Sequence, residues 1–212
     1  MLMTAILDDG DEVIMAEPFY TNYKTFVRQA GGKVVAIPTT ADDGYQYAVR
    51  EKIENVIADK TRALCIINPG NPTGKVLTHE EMQLIVDIAL EHDLYIIADE
   101  VYREFTYDGK EMTTFGSFKE AEQNVIIVDS VSKRFSACGA RIGSIASKNE
   151  ELMSNLMKLC QARLCCPTLD MIGAAALYNL DPSYFDEQTA DSTFGLSIAI
   201  PISGKFRTNQ RK

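Results

Sequence analysis

The 212-residue sequence has no tryptophan, two histidines, and no apolar run near the roughly 20 residues a membrane-spanning helix needs. Positive charge is also short, with 21 Lys and Arg against 30 Asp and Glu and a formal net charge of −9. Nucleic-acid binding is not expected, because phosphate backbones reward clustered Lys and Arg. His79 and His92 fall on what reads as one surface helix, with no Ser or Cys nucleophile motif beside them. A Ser-His-Asp or Cys-His hydrolase is therefore not expected. The five cysteines (Cys65, Cys138, Cys160, Cys165, Cys166) are odd in number and form neither a CxxC pair nor a zinc-ligand pattern. Reduced, mostly buried thiols and no metal centre are expected. No basic segment followed by an apolar stretch opens the chain, so a cytoplasmic location is the expectation. At 46% hydrophobic and 24% charged residues, the chain has the balance of a soluble domain, with room for one domain and part of another.

Short apolar runs rich in β-branched residues alternate with segments of helical period. Strands are expected at Glu12–Ala16, Val34–Pro38, Ala63–Ile67, Leu94–Ala98, Asn124–Val128 and Ile142–Ala146. The clearest helix runs from Thr78 to His92: Thr78 and Glu81 form a capping box, and Met82, Ile85, Val86 and Ala89 make one apolar stripe. Two further helices are read at Lys148–Cys166 and Thr168–Leu180, with Pro167 at the break. This alternation predicts an α/β fold, a mostly parallel sheet flanked by helices on both faces. Ligands of such sheets sit at the carboxyl ends of strands, so the loops that follow the strands are the places to search.

Three such loops carry unusual residues. Asn68-Pro-Gly-Asn-Pro-Thr-Gly74 packs two prolines and two glycines into seven residues, a rigid turn that would project the amides of Asn68 and Asn71. Taken alone it reads more readily as a plain turn. Ala98-Asp-Glu-Val-Tyr102 ends an apolar strand on Asp99, whose carboxylate needs a cation or donor there unless it is simply a helix cap. The third stretch runs from Ser130 to Gly143 and places Lys133 among hydroxyls and glycines. A lysine so placed is suited to Schiff-base chemistry, and Arg141 with Ser130 to anion binding. By itself, Lys133 also reads as a surface lysine in a salt bridge.

Taken together the three loops supply an amine for an aldehyde, an anion site, a carboxylate for a ring nitrogen, and Asn and Tyr donors. In this combination the sequence resembles the class I/II aminotransferases, fold type I enzymes that depend on pyridoxal 5′-phosphate (PLP) and include aspartate aminotransferase. Ser130–Gly143 resembles that family's lysine-attachment signature, and the loops stand at family distances: Asp99 lies 28 residues after Asn71, and Lys133 lies 34 after Asp99. The resemblance implies that Lys133 attaches the cofactor and later moves the substrate Cα proton. It implies that Asp99 pairs with the pyridine nitrogen and that Tyr102 and Asn71 reach the ring's 3′ oxygen. Ser130 and Arg141 would hold the phosphate, with Ser132 beside them. Tyr20 best matches the aromatic that lies against the ring, with Phe19 and Tyr23 as competitors.

The likeness covers roughly Ile6 to Phe185. Residues 1–185 are expected to be a PLP-binding large domain lacking its N-terminal part, including the upstream phosphate loop and a tyrosine lent across the dimer. The tail, 186–212, does not match, and the family's small domain with its α-carboxylate arginine has no counterpart. The expected reaction is amino-group transfer from an L-amino acid, aspartate as first candidate, to a 2-oxo acid. A PLP-dependent β-lyase on the same scaffold, or a non-catalytic fragment retaining the cofactor site, are the alternatives. Amino acid and 2-oxo acid would be its small-molecule partners, with a homodimer for the full-length protein. Arg163 could meet a distal substrate carboxylate but reads more readily as a surface charge.

Overall fold

The computed structural model describes residues 1–107 and 109–186; the tail beyond Asp186 lies outside them. Six strands form one sheet: β1 (Glu12–Glu17), β2 (Lys33–Pro38), β3 (Thr61–Ile67), β4 (Tyr95–Asp99), β5 (Val125–Ser130) and β6 (Gly143–Ala146). Their order is β2-β1-β3-β4-β5-β6. Five strands run parallel, and β6 is antiparallel to β5 at the edge. All six apolar runs are strands within a residue or two of the expected ends, and the sheet is mostly parallel as its composition implies. Seven α-helices accompany it among the described residues: α1 (Leu2–Ile6), α2 (Asn22–Gln29), α3 (Arg50–Glu54), α4 (His79–Glu91), α5 (Val131–Arg134), α6 (Glu150–Arg163) and α7 (Thr168–Leu177). The last two are shorter than their sequence pattern: α6 stops at Arg163, where Leu164 takes a positive φ, and α7 stops at Leu177 rather than Leu180.

The period of two along each strand divides the core. Leu64 and Ile66 of β3, Ile96 and Ala98 of β4, and Ile14 of β1 pack on one face against Met82, Ile85, Val86 and Ala89 of α4. Their neighbours Ala63 and Cys65, Ile97, Val13 and Met15 pack on the other against α1, α2 and α6, through Leu2, Tyr23, Val27, Leu152 and Leu156. Both faces are buried, which is why these strands are near-continuous apolar runs. Each fully buried Leu or Ile contributes about 1.5–3 kcal/mol. A third cluster joins Val131 and Phe135, at α5, to Ala174 and Leu177 of α7 and to Tyr184 and Phe185.

The cysteines depart from expectation. All five are free, but only Cys65, inside β3, is buried; Cys138, Cys165 and Cys166 are exposed because they sit on turns and connections rather than in the core.

The chain leaves β1 toward β2 on one side and returns through β3 to β4 and β5 on the other. The reversal between β1 and β3 opens a crevice at the strands' carboxyl ends. Beneath it, α4 is fixed by the capping box: Thr78 Oγ1 accepts from Glu81 N (3.2 Å) and Glu81 Oε2 accepts from Thr78 N (2.8 Å). Glu81 also meets Lys75 Nζ at 2.8 Å, tying the cap to the loop after β3. Thr78→Ala should therefore lower stability by about 1 kcal/mol, read as a lower denaturant midpoint with an unchanged slope.

Candidate active site

One cleft of about 330 Å³ opens at the carboxyl ends of the strands, and Tyr20, Asn71, Asp99, Tyr102, Ser130, Ser132, Lys133 and Arg141 all line it. These are the eight residues singled out in the sequence, drawn from the loops after β1, β3, β4 and β5. Tyr23, Phe26, Asp129 and Cys138 share the lining. The volume is within the range of sites for small ligands.

The loop after β3 is held from below. Asn68 is buried and does not project into the cleft as its turn-rich context suggested. Its Oδ1 accepts from Leu77 N (3.0 Å), its own backbone N–H donates to Asp99 O (3.0 Å), and its amide nitrogen lies over the sulfurs of Met82 and Met112. Asn68 is thus the clip that fixes the loop, and Asn71, three residues on, presents its side chain to the cleft. Gly70 N donates to Lys75 O at 2.8 Å, closing the turn between them.

Asp99 ends β4 with its carboxylate half-buried. Tyr23 Oη donates to its Oδ2 at 2.6 Å, and Val101 N donates to Oδ1 at 3.2 Å. No cation pairs with Asp99 among the described residues. Burial raises its carboxyl above the ordinary range; the Tyr23 and Val101 hydrogen bonds oppose that rise, and the nearby Asp129 adds to it. Burial first, then the Cys65 and Asp99 charges, push the Tyr23 phenol well up, so the proton of this pair stays on the tyrosine.

The sequence ranked Tyr23 only as a rival to Tyr20, and the structure separates the two. Tyr20 is 43% exposed with its ring at the cleft wall, whereas Tyr23 is 7% exposed and turned onto Asp99. Tyr20, just before α2, and Tyr23 and Phe26 on it form an edge-to-face series, with centroids 6.4 and 6.1 Å apart. The spacing i, i+3, i+6 is the signal that could have placed them on one face. Phe19 packs away from the cleft, into the core beside α2.

Two cations face these groups. Lys133, on α5, is exposed, with Nζ 5.9 Å from the Tyr102 ring centroid. Arg141 has left-handed backbone (φ +58°), and its Nη1 donates to Cys138 O at 2.7 Å, which aims the guanidinium. Neither forms an ion pair among the described residues, so both charges are available to an anion or electrophile. Ser130 Oγ accepts from Ser132 N (3.2 Å), leaving its own proton to donate. Arg163, at the exposed end of α6, is not part of the cleft lining.

Two further carboxylates, which sequence reasoning did not single out, neighbour Asp99: Glu100 and, in the cleft lining itself, Asp129. Glu100 is fully buried, bonded by Arg103 Nη2 (2.8 Å), Thr114 Oγ1 (2.8 Å) and Phe115 N (3.0 Å). Asp129 accepts from Ser130 N at 2.7 Å. Burial raises both carboxyls as well.

The comparisons with known proteins bear on the family and the fold. The family model for aminotransferase class I and II matches residues 1–188. The chain is 34% identical over 180 residues to an aspartate aminotransferase of Bacillus subtilis, covering 84% of this chain and 45% of that protein. It is 36% identical over 176 residues to aromatic-amino-acid aminotransferase 2 of Thermococcus litoralis, with 83% and 45% covered. Among solved structures, the aromatic aminotransferase of Pyrococcus horikoshii superposes with a TM-score of 0.81 at 33% identity, over 90% of this chain and 51% of that one. The aspartate aminotransferase of Thermotoga maritima gives 0.83 at 29%, over 91% and 51%. The chain spans about half the length of the relatives it matches.

The raised Asp99 carboxyl has a testable sign. A folded-state pKa above the unfolded one means that ionisation opposes folding at neutral pH, and that the cost disappears as pH falls through the folded value. Asp99→Asn, whose carbonyl still accepts from Tyr23, should stabilise the ligand-free chain by on the order of 1 kcal/mol at pH 7–8. The gain should vanish near pH 4; thermal melts of both chains across that range check it.

Proposed function

The chain belongs to the class I and II aminotransferases, and on that premise we propose that it carries the PLP site of an enzyme that moves an amino group from an L-amino acid to a 2-oxo acid. The observation that carries this reading is the charge arrangement of the cleft. A carboxylate with no cation faces two cations with no carboxylate, which suits a ligand carrying a protonated ring nitrogen, an aldehyde and a phosphate. When bound, PLP supplies an aldehyde that takes up the amino group and a conjugated ring that spreads the charge left by removal of the substrate Cα proton.

The residues divide the remaining work. Lys133 would be the amine that attaches the cofactor and, when free, would carry the substrate Cα proton. Asp99, fixed by Tyr23, would hold a proton on the ring nitrogen. Tyr102 and Asn71 would donate to the phenolic oxygen, Ser130 and Arg141 would hold the phosphate with Ser132 beside them, and Tyr20 would supply the aromatic against the ring. Residues 1–185 then form the cofactor-binding large domain. Aspartate is the first candidate substrate, and the aromatic lining of Tyr20, Phe26 and Tyr102 favours an aromatic amino acid as the second. Five free cysteines suit the cytoplasm, and no helix of the described residues is long and apolar enough to cross a membrane. The exposed Leu169 and Ile172 of α7 suit a subunit interface in a homodimer.

Borohydride reduction with PLP, followed by peptide mapping, should place a phosphopyridoxyl label on Lys133, and Lys133→Ala should abolish the visible band. A label concentrated on another lysine removes the assignment. Conversion of bound cofactor to its amine form by an amino acid marks a transferase, whereas release of ammonia and a 2-oxo acid marks a lyase.

Asp99→Asn should slow the amino-acid half-reaction about a hundredfold or more in any active form of the enzyme. Stopped-flow rates within a few-fold of the parent would remove Asp99 as the ring partner.

A further inference from the structure

Arg134 follows Lys133 and closes α5, a helix of one turn. An arginine beside a cleft lysine repels it and would be expected to turn outward into water. Instead its side chain is 18% exposed. Nη2 lies 2.9 Å from Glu104 Oε1 and Nη1 lies 3.7 Å from Asp129 Oδ2. The guanidinium carbon is 5.4 Å from the ring centroid of each of Phe135, Tyr178 and Phe185. A planar guanidinium can serve two carboxylates at its edge and rings at its faces, which an ammonium cannot.

The position of these contacts in the chain gives them meaning. Asp129 immediately precedes Ser130, and its other oxygen accepts from Ser130 N at 2.7 Å. Glu104 lies two residues after Tyr102, and Arg134 itself is bonded to Lys133. Three lining residues from two different loops thus each lie within two residues of a member of this ion-pair cluster. The rings add α7 and the turn at Phe185, so the clamp spans the ends of β4 and β5 and the helix behind them. The two carboxylates also neutralise Arg134, sparing Lys133 an adjacent uncompensated charge.

We propose that Arg134 is a positioning residue, a clamp that sets the mutual placement of Lys133, Ser130 and Tyr102 in the cleft. It rests on the PLP reading above for its consequence but not for its geometry. The clamp acts through planarity as well as charge, so lysine is a poor substitute.

The test uses the 212-residue chain, PLP titration and quantitation of the borohydride-fixed label on Lys133. Arg134→Met should reduce labelling at a fixed PLP concentration at least tenfold, and Arg134→Lys should recover less than half of it. Leu156→Ala, buried on α6 in a different apolar cluster from the clamp's rings, serves as a folding control and should label like the parent below its own melting temperature. Parent-like labelling in Arg134→Met, full recovery in Arg134→Lys, or an equal loss in Leu156→Ala would each overturn the proposal. If Arg134→Met does not fold, Glu104→Gln removes one arm alone and should lose at least threefold; parent-like labelling there overturns the clamp. If the parent takes no PLP on Lys133, the functional reading fails separately. The clamp is then read from trace acetylation by acetic anhydride. Arg134→Met, or Glu104→Gln in its place, should change the Lys133 rate at least threefold while leaving the exposed Lys60 unchanged, and an unchanged Lys133 rate overturns it.

Discussion

A carboxylate brought to the end of an apolar strand with no cation of its own is the constraint about which this cleft is arranged. Asp99 arrives there because β4 is buried on both faces up to Ala98, and the next side chain in the strand's alternation is carried to the carboxyl end. Water cannot solvate it fully, and the chain supplies only a phenol and one amide. Ionisation is therefore opposed in the ligand-free protein, while a ligand bearing a protonated nitrogen would relieve the opposition. A preformed site of this kind holds its unfavourable energy until its ligand arrives, which is how proteins trade stability for binding.

The three neighbouring acids show how selective that arrangement is. Glu100 and Asp129 are as deep as Asp99 or deeper, yet each is given an arginine, Arg103 and Arg134 respectively. Only the acid that lines the cleft without an arginine, Asp99, rests on a tyrosine. Tyr23 can do this because α2 begins just after β1 and sets its ring across β3 onto β4, with the phenol buried against Cys65 and its proton retained. The hydroxyl orients one carboxylate oxygen without neutralising it, which an arginine there could not do. Geometry is fixed and charge is preserved.

Much of this was legible in the residues themselves. The six strands, the capping box of α4 and the strand-end position of eight of the lining residues follow from period, propensity and turn chemistry, which are local. What escaped was set by tertiary contact. Asn68 and Asn71 occupy similar turn positions in sequence, and only the approach of Leu77 and Met82 determines that the first turns inward. Tyr23 is three residues from Tyr20 on one face, but that it reaches Asp99, 76 residues away, depends on how α2 lies over the sheet. Arg134 reads as one more surface charge until Glu104, Asp129 and three rings from later segments close around it. The exposed cysteines were misjudged because burial was inferred from residue type, whereas Cys138, Cys165 and Cys166 sit on turns and connections that lie outside the sheet.

The division between local and tertiary information has a physical counterpart in the cleft. Groups read from sequence are those whose chemistry needs access: the Lys133 amine, the Arg141 guanidinium, the Ser130 hydroxyl and the Asn71 amide. Groups that were missed are those that hold them: Asn68 under the β3 loop, Tyr23 under Asp99, and Arg134 beside Lys133. Reactive side chains on loops gain precision only when their own freedom is removed by neighbours that are themselves packed and bonded. Each holder here is more enclosed than the residue it serves. Asn68 is buried and Asn71 half-buried, Tyr23 is buried and Asp99 half-buried, Arg134 is half-buried and Lys133 exposed. That gradient, repeated at three strand ends, places the cleft's rigidity one layer beneath its chemistry. Substitutions in the layer below should therefore alter geometry at the mouth before they alter which groups are present there.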